Sequence, residues 1–335
     1  MHDIDFVITY LDGNDPSWQE ERNKYSAPAN ADAGANRYRD WDNLKYLFRG
    51  FERFTPWVRK IHFVTCGHVP SWLNTSHPKI NIVRHSDYIP SQWLPTFSSR
   101  CIDMNLHRIK DLAEHFVYFN DDMFPVSPCG KNVFFKNGLP CDSAILEPSI
   151  LKTRSCAGLY LSPLVGTALI NKHFKKNRVI LKNPLKWFNP VYGKFNIETL
   201  LLMPYSEFAG FRPIHLPYSY LKSSYKTVWK KEPELCSLAS SHRFRVPDDL
   251  NHLIFSYWQF ATGHFSPRSS SIGKGLYIRT VKDAKKAADI LRHSKYKLIC
   301  LNDNIDDASE AETIMEIVNG ALEKLFPQRS SFELI

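Results

Sequence analysis

The sequence predicts an α/β protein: a Rossmann-like, mostly parallel sheet with helices on both faces, followed by a more helical second half. Four short runs in the first half are rich in Val, Ile, Phe and Tyr and stop at Gly, Asn or Asp, which is typical of β-strands. These runs begin at Ile4, Lys60, Ile80 and His115. Helical patterns lie between them, and this alternation indicates parallel β-α-β units whose sheet is covered on both faces.

Two helical patterns separate these runs. In the first, apolar residues recur at helical spacing from Leu44 to Phe54, and Pro56 ends the helix. In the second, the same spacing extends from Ile102 to Phe116. We therefore expect two helices here.

The second half is more helical and irregular. The spacing of apolar residues predicts helices within 162–174, 196–208 and 248–265. A strand follows at 296–303, and a final helix carries an apolar stripe from Ile314 to Leu325, with Asp307 or Ser309 as its N-cap.

Composition and charge limit the function classes. The chain has 335 residues, 43% of them apolar and 23% charged, which is typical of a folded protein. Its net charge of +9 suits an anionic partner, but the cations are spread along the chain and do not favour nucleic acid. The seven cysteines form no CxxC pair, which predicts reduced thiols. With no signal peptide before Ile4 and no long apolar run, we expect a cytoplasmic protein, at most peripheral to a membrane.

Carboxylates follow several of the predicted strands. Asp12 and Asp15 follow the first strand, Asp87 follows the third, and Asp121 and Asp122 follow the fourth. Turn formation explains any one of these residues, but several strands ending in this way favour a shared crevice, because ligands bind outside the carboxyl ends of parallel strands. Paired carboxylates either hold a divalent metal or divide acid and base roles.

Phosphate binding has no standard loop in this chain. There is no Walker loop and no GxGxxG after any strand, which excludes a P-loop ATPase and a dinucleotide dehydrogenase. Phosphates are then expected at helix N-termini and at cationic side chains. The candidate cations are Arg37, Arg39, Lys45, Arg100, Arg108, Arg243 and Arg245.

Two histidines are candidates for proton transfer or substrate binding. His215 lies between two prolines in an aromatic loop that could hold an imidazole still for proton transfer, although packing of a loop histidine is the commoner explanation. His107 either faces the crevice or only flanks the apolar stripe of its helix. The sequence leaves both alternatives open.

Four segments carry a family resemblance: "IDFVITYLDGNDPSW", "RYRDWDNLKYLFRGFERFTPWVRKIHFVTCGHVPSWLN", "LPTFSSRCIDMNLHRIKDLAEHFVYFNDDMF" and "LICLNDNID". They resemble the four blocks of the Stealth family of sugar-1-phosphate transferases. This family includes bacterial capsular polysaccharide phosphotransferases and the catalytic subunit of the lysosomal-enzyme GlcNAc-1-phosphotransferase. The resemblance is dense over 4–128, patchy over 205–265 and clear again from 298 onward.

The resemblance implies one catalytic domain over 1–335. Its parts are a Rossmann-like nucleotide-sugar half at 1–150, a helical and irregular region with the acceptor site and the third block at 151–297, and a final strand and helix at 298–335. The implied reaction transfers hexose-1-phosphate, best guessed as N-acetylglucosamine-1-phosphate, from a UDP-sugar to a sugar hydroxyl. UMP leaves, and the phosphodiester belongs to a capsular or exopolysaccharide.

Two other functions stay open. One is a glycosyltransferase that uses the same donor and releases UDP, and the other is a non-catalytic polysaccharide-binding protein. The resemblance implies Mg²⁺ (or Mn²⁺) as cofactor, a polysaccharide or oligosaccharide acceptor and no nucleic acid. It is also consistent with peripheral association at the inner face of the cell membrane.

Site residues follow from the matching positions. The resemblance implies catalytic roles for Asp15, Asp121, Asp122, His215 and Arg245, and we favour His215 as the base. At most one of Asp121 and Asp122 faces the donor if the strand stays regular through both. The implied metal ligands are Asp122 and Asp303. The implied substrate-binding residues are Asp12, Arg37, Asp40, Lys45, Arg100, His107, Arg108, Asn120 and Asn302.

Overall fold

The computed structural model describes residues 2–27, 39–150, 157–293, 295–305 and 307–334. The strands of this part are β1 (Ile4–Thr9), β2 (Ile61–Thr65), β3 (Ile80–Arg84), β4 (His115–Asn120), β5 (Met123–Pro125), β6 (Phe135–Lys136), β7 (Leu139–Asp142), β8 (Tyr218–Leu221), β9 (Ser266–Pro267), β10 (Gly273–Ile278) and β11 (Leu298–Asp303). The helices are α1 (Pro16–Asn23), α2 (Leu44–Phe54), α3 (His85–Tyr88), α4 (Ser99–Met104), α5 (Ala157–His173), α6 (Lys176–Lys182), α7 (Pro184–Trp187), α8 (Phe195–Leu201), α9 (Lys222–Lys231), α10 (Pro233–Ser241), α11 (Leu253–Thr262), α12 (Val281–Arg292) and α13 (Ala311–Leu325).

A five-stranded sheet of order β3-β2-β1-β4-β8 organises the first half. Its first four strands are parallel, and β8 runs antiparallel to β4 at one edge. Ile4 lies opposite His115, and Thr9 lies opposite Asn120. Strand β1 is buried from Ile4 to Ile8, as expected for a strand covered on both faces. The predicted α/β class with a parallel sheet is confirmed.

Two smaller sheets complete the strand arrangement, with the orders β10-β11-β5 and β6-β7-β9. Strand β11 runs parallel to β10 and antiparallel to β5, and Cys300 lies opposite Met123. The chain leaves the first sheet at Asn120 and enters the second at Met123. Only Asp121 and Asp122 lie between the two sheets.

Aromatic side chains fill the core between α2 and the sheet. Phe6 of β1 packs against Phe51 of α2 and Phe119 of β4, with ring centroids 4.9 and 4.8 Å away. All three rings are fully buried, and each contributes about 1.5–3 kcal/mol by leaving water. A Cβ on Gly50 would lie 2.9 Å from the Pro125 carbonyl oxygen, so α2 approaches β5 at a distance that only glycine allows.

A buried carboxylate joins β1 to the segment before β2. Asp5 is fully buried and accepts hydrogen bonds from Arg59 Nε at 2.8 Å and from the Ala113 amide at 2.8 Å, and its Oδ2 lies 3.0 Å from His62 Nε2. Burial would raise the pKa of Asp5, but the bonds from His62 and Arg59 outweigh it and lower the pKa. The buried charge of Asp5 is therefore paired with Arg59, since an unpaired buried ion would be costly.

The predicted helix from Ile102 to Phe116 is wrong in its extent. Helix α4 ends at Met104, where the Asn105 side chain donates to the Cys101 carbonyl oxygen at 2.8 Å, and a short 3-10 turn follows. Asp111 then adopts a positive φ of 62°, which no helix accommodates. The apolar spacing continues because Phe116 belongs to the buried strand β4.

The C-terminal segment packs against α2. Arg49 donates from Nε and Nη2 to the Glu333 carboxylate at 2.9 Å and from Nη1 to the Phe326 carbonyl oxygen at 2.7 Å. The predicted cap Asp307 accepts from the Ser309 amide at 2.9 Å, at the start of the turn that leads into α13. The Arg49 contacts hold the segment that follows α13 against α2.

Candidate active site

Asp121 and Asp122 form the turn between the two sheets. Because β4 ends at Asn120, the two side chains do not alternate along one regular strand. The Asp122 carbonyl oxygen accepts from the Leu301 amide at 2.8 Å, which places Asp122 beside β11. Asp121 lies on the solvent-accessible side of the turn. The structure therefore places Asp121 and Asp122 in different surroundings, a difference that the sequence did not reveal.

Three side chains converge on one oxygen of Asp122. Cys300 Sγ donates to Asp122 Oδ2 at 3.1 Å, Asn302 Nδ2 donates to it at 3.5 Å, and His215 Nε2 lies 3.7 Å away. Cys300 and Asn302 are two residues apart on β11 and so share one face of that strand. Asp122 and His215 are partly exposed, 22% and 30% respectively, so the cluster is open to ligands.

The second oxygen of Asp122 is unpartnered within the described residues. Asp122 Oδ1 is buried and has no hydrogen-bond partner among the residues that the structure describes. Burial would raise the pKa of Asp122, but the interactions with His215 and Cys300 outweigh it and lower the pKa. The result is an ionised carboxylate with one unpaired oxygen, an arrangement that a bound cation would satisfy.

The side chains around Asp122 include donor atoms that suit two kinds of cation. Mg²⁺ and Mn²⁺ favour oxygen ligands, which the unpartnered Asp122 Oδ1 supplies. A thiophilic ion would have a second ligand set, because the ligand atoms of Asp122, His215 and Cys300 all lie within 4.8 Å of one another. Carboxylate oxygen, imidazole nitrogen and cysteine sulfur each occur as zinc ligands in proteins.

The structure does not pair Asp303 with Asp122. Asp303 accepts from Arg39 Nη1 at 2.9 and 3.0 Å, from Trp41 Nε1 at 3.0 Å and from the Ile305 amide at 3.1 Å. It also follows Asn302 on β11, so the two side chains point to opposite faces. Both oxygens of Asp303 are thus engaged in holding the segment before α2.

The predicted convergence of carboxylates is visible around Tyr10. The Tyr10 hydroxyl donates to Asp40 Oδ2 at 2.8 Å. Burial, together with the charges of Asp40, Asp12 and Asp121, raises the pKa of Tyr10. Asp121 itself is exposed at the turn. Desolvation of its carboxyl and the charges of Asp122 and Asp40 raise the pKa of Asp121 to about 7.

Asp12 and Asp15 meet at His68, a residue that the sequence did not single out. His68 Nε2 lies 2.8 Å from the Asp12 amide and must accept from it, so this nitrogen carries no proton. Burial lowers the pKa of His68 although Asp15, Asp12 and Asp40 act in the opposite direction. Asp15 itself is the N-cap of α1, accepting from Ser17 Oγ at 2.5 Å and from the Trp18 amide at 2.8 Å, and these bonds lower its pKa.

His215 lies near a second histidine that sequence reasoning missed. The ring of half-buried His252 lies 4.7 Å from the Tyr218 ring and 5.1 Å from the Tyr118 ring, and its Nδ1 is 2.8 Å from the Tyr220 hydroxyl. Desolvation lowers the pKa of His252 to about 3, and the nearby His215 acts in the same direction. His252 directly precedes α11, where the sequence gave no signal of its position near His215.

Arg245 lies near a buried carboxylate beneath the strand ends. Asp103 accepts from the Tyr118 hydroxyl at 2.8 Å, and that hydroxyl is 3.2 Å from Thr9 Oγ1 at the end of β1. Burial raises the pKa of Asp103 to about 7, although Arg245 and Arg100 act in the opposite direction. Arg100 is buried, donates to the Val246 carbonyl oxygen and lies 4.0 Å from Asp249 Oδ2. These two predicted cations therefore share one neighbourhood.

His107 and Arg108 are engaged in packing. The His107 ring lies 5.7 Å from the Trp229 ring, and burial lowers its pKa to about 3. The Arg108 guanidinium lies 4.7 Å above the Trp229 ring, and its Nε donates to Asn105 Oδ1 at 3.0 Å. These contacts favour the alternative in which His107 flanks the apolar stripe.

The remaining predicted residues lie near the strand ends or outside the described part. Asn120 is half-buried at the end of β4, directly before the acidic turn. Lys45 pairs with Asp42 at 3.2 Å on the first turn of α2. Arg37 lies outside the described residues.

The cysteines of the described part are free thiols: Cys66, Cys101, Cys129, Cys141, Cys236 and Cys300.

Known proteins match this chain along its full length. The model of Stealth protein CR2, conserved region 2, matches residues 37–141, and that of Stealth protein CR4, conserved region 4, matches residues 288–335. The capsular polysaccharide phosphotransferase WcwK of Streptococcus pneumoniae is 39% identical over 336 residues, which cover 99% of this chain and 98% of that protein. The chain belongs to the Stealth family.

Other relatives have similar names. The receptor polysaccharide phosphotransferase WefC of Streptococcus oralis is 38% identical and is covered completely, as is this chain. The exopolysaccharide phosphotransferase cps2G of Lactiplantibacillus plantarum is 33% identical over 99% of this chain and 96% of its own length. This Stealth protein is therefore a transferase. Among solved structures, a galactosyltransferase LgtC in complex with donor and acceptor sugar analogues matches with a TM-score of 0.40 and 9% identity, covering 94% of this chain and 95% of that one.

The two matched regions meet in space at the acidic turn. Asp122 belongs to conserved region 2, and Cys300 and Asn302 belong to conserved region 4. The hydrogen bond from Cys300 to Asp122 therefore joins two segments that lie 178 positions apart in the chain. His215 completes this group from a part of the chain that neither region covers.

Proposed function

We propose that this Stealth protein transfers hexose-1-phosphate from a UDP-sugar to a hydroxyl of a capsular or exopolysaccharide and releases UMP. N-acetylglucosamine-1-phosphate is the first donor group to test. The observation that carries the proposal is the convergence of Asp122, His215, Cys300 and Asn302, which joins the two conserved regions at a partly open acidic crevice. The full-length relatives named polysaccharide phosphotransferases support this reaction class.

The proposed reaction is an attack of the acceptor hydroxyl on the phosphorus that adjoins the sugar. A bond forms between the acceptor oxygen and that phosphorus, and the bond from the same phosphorus to the bridging oxygen of the diphosphate breaks. UMP leaves with the electron pair of the broken bond, and the hydroxyl proton passes to a base of the protein. Negative charge grows on the phosphoryl oxygens, so stabilising that charge is most of the catalytic task.

We assign the base to His215. Its ring lies in a stiff loop, is 30% exposed and has Asp122 at 3.7 Å, so a carboxylate stabilises the imidazolium that forms. Asp121 is the second candidate because its carboxyl reaches the mouth of the crevice with a pKa of about 7. Arg245, beside Asp103 near the strand ends, is the proposed cation for the phosphoryl oxygens.

Mg²⁺ or Mn²⁺ is the proposed cofactor, with Asp122 as its ligand. The buried, unpartnered Asp122 Oδ1 fits a hard cation. Such an ion supplies charge neutralisation for the diphosphate. The protein's own part is to hold Asp122 ionised and oriented, which the bonds from Cys300 and Asn302 do. The net charge of +9 also suits an anionic polysaccharide product.

The test is incubation of the purified protein with a panel of UDP-sugars, Mg²⁺ and an oligosaccharide acceptor, with chromatographic measurement of UMP and UDP. We expect UMP, and we expect Asp122→Asn and His215→Ala each to reduce its release by about 100-fold or more. Asp87→Asn is the matched control, because Asp87 is an exposed acid that caps α3 by accepting from the Arg84 amide at 2.7 Å.

Three outcomes overturn the proposal. Formation of UDP in place of UMP would assign a glycosyl transfer to the site. Turnover that survives both Asp122→Asn and His215→Ala would show that the chemistry lies elsewhere. Failure to consume any UDP-sugar would favour a polysaccharide-binding role.

A further inference from the structure

Seven exposed apolar side chains cluster in one part of the second half. The helical cap, residues 176–205, contains α6, α7 and α8. Leu181, Leu185 and Leu201 are 71%, 80% and 68% exposed, and Ile197, Leu200, Val191 and Tyr205 are between 43% and 62% exposed. Exposed apolar groups at this density mark an interaction surface in a folded protein.

Helix α8 has a buried side and an exposed apolar side. Ile197, Leu200 and Leu201 follow the i, i+3, i+4 spacing and so lie on one face, which is exposed. Thr199 is buried on the other side, where its hydroxyl accepts from the Leu146 amide at 3.3 Å. One side of α8 therefore packs on the core through Thr199. The apolar side with Ile197, Leu200 and Leu201 is not covered by the described part of the chain.

Hydrogen bonds hold the three helices of the cap together. The buried ammonium group of Lys176 on α6 donates to the carbonyl oxygens of Leu202 at 2.5 Å and Met203 at 3.1 Å, directly after α8. The Asn189 side chain donates to the Leu185 carbonyl oxygen at 2.9 Å, and Asn196 Nδ2 donates to the Asn189 carbonyl oxygen at 2.9 Å. The exposed side chains thus belong to one fixed unit.

The cap is also cationic. Residues 176–205 contain five Lys or Arg and one carboxylate, Glu198. Glu198 is paired with Arg212 at 3.1 Å. Arg178, Lys182 and Lys194 are exposed, and no ion pair engages any of them within the described residues. Exposed leucines next to unpaired cations are the composition of a surface that binds anionic lipid.

We propose that the helical cap docks this protein on the surface of a bilayer that contains anionic phospholipid. The leucines enter the boundary between headgroups and acyl chains, and the lysines and arginine contact lipid phosphates. No helix in the described residues is long and apolar enough to cross a membrane, so the contact lies in the plane of the surface. This inference stands independently of the proposed reaction.

Charge argues against a second copy of the chain as the occupant. A twofold interface would bring the same cationic patch against itself, with exposed Arg178, Lys182 and Lys194 on each side. Like charges brought together in this way oppose association. A soluble polyanion would neutralise the cations but would leave the leucines in water. An anionic membrane is the partner that satisfies both features.

The test is co-sedimentation of the purified protein with vesicles of phosphatidylcholine alone or mixed with phosphatidylglycerol. We expect binding to the mixed vesicles that weakens as salt is raised. Leu185→Glu and Leu201→Glu should each weaken it by about tenfold or more. Arg178→Glu with Lys182→Glu should weaken it by at least about tenfold. Leu238→Glu is the matched control, since Leu238 is 53% exposed on α10, outside the cap.

Thermal unfolding checks that each variant is folded before it is used. Wild-type protein that stays in the supernatant with mixed vesicles overturns the proposal. Equal sedimentation of the cap variants, the Leu238→Glu control and the wild type also overturns it. A dimer in analytical ultracentrifugation that Leu185→Glu and Leu201→Glu dissociate would assign this face to a second copy and would contradict the membrane assignment.

Discussion

Replacement of Asp103 with asparagine should change the pH dependence of stability in a defined direction. Asp103 is 4% exposed and accepts one hydrogen bond from the Tyr118 hydroxyl. Burial raises its pKa from 3.8 to about 7. Below about pH 4 the carboxyl is protonated in both the folded and the unfolded chain, so it imposes no pH-dependent cost there. The stability present at that pH is lost as the pH rises toward 7.

The magnitude follows from the two pKa values. Between about pH 4 and about pH 7 the unfolded chain releases the proton while the folded chain keeps it, at about 1.4 kcal/mol per pH unit. The interval from 3.8 to about 7 therefore corresponds to about 4 kcal/mol. Asparagine does not titrate. The free energy of unfolding of Asp103→Asn minus that of the wild type should rise by this amount and stay constant above the folded pKa.

Urea unfolding at a series of pH values from about 4 to about 8 measures this difference. Asparagine keeps an oxygen for the Tyr118 hydroxyl. Any fixed cost of its amide group beside Arg245 and Arg100 changes the difference in unfolding free energy by the same amount at every pH. Glu20→Gln, which removes an exposed carboxylate from α1, controls for the change in net charge. A difference between Asp103→Asn and the wild type that does not vary with pH would refute the reasoning.

Three further predictions follow from individual contacts. Zn²⁺ should inhibit turnover by binding Asp122, His215 and Cys300, and Cys300→Ser should raise the inhibitory concentration by about tenfold or more; equal inhibition of both forms would contradict this. Asp5→Ala should lower the free energy of unfolding in urea by about 3–5 kcal/mol because it leaves the Arg59 guanidinium and the buried His62 ring without their acceptor, and a loss below about 1 kcal/mol would count against it. Gly273→Ala should lower the thermal midpoint, since its Cβ would lie 2.5 Å from the Leu298 carbonyl oxygen; an unchanged midpoint would show that β10 and β11 adjust.

The central sheet was predictable because its strands are local in sequence. Each parallel strand is an apolar run that ends at Gly, Asn or Asp, and these signals do not depend on distant contacts. The closeness of Asp12 and Asp121 to Tyr10 followed from the rule that carboxyl ends of parallel strands meet at one edge, whereas Asp40 lies before α2 and was not predicted by that rule. This part of the site could be predicted from the chain alone.

The contacts of Asp122 could not be predicted in the same way. They depend on the antiparallel pairing of β5 with β11, which brings Cys300 opposite Met123 across a long separation in sequence. Cys300 lies inside an apolar run and is a buried core residue, so the run itself does not indicate its contact with Asp122. His252 was missed for the same reason, because its contacts with Tyr118, Tyr218 and Tyr220 come from strands that are distant in the sequence.

Local capping and packing explain several other predicted residues. Asp15 caps α1, as the turn-forming alternative predicts for an acid after a strand. Asp303 holds Arg39 and Trp41, which the pattern of acidic strand ends does not reveal. His107 and Arg108 pack on Trp229 because the short α4 ends before them and a 3-10 turn redirects the chain. Short-range sequence patterns do not distinguish these outcomes from catalytic ones.

The fate of the donor's β-phosphate tests the central claim most directly. A UDP-sugar labelled with ³²P in the phosphate that adjoins the sugar is incubated with the protein, Mg²⁺ and an acceptor, and the label is followed into the polymer and nucleotide fractions. Transfer of hexose-1-phosphate places the label in the polymer as a phosphodiester and leaves unlabelled UMP. Label that remains in UDP while the sugar enters the polymer would contradict the account.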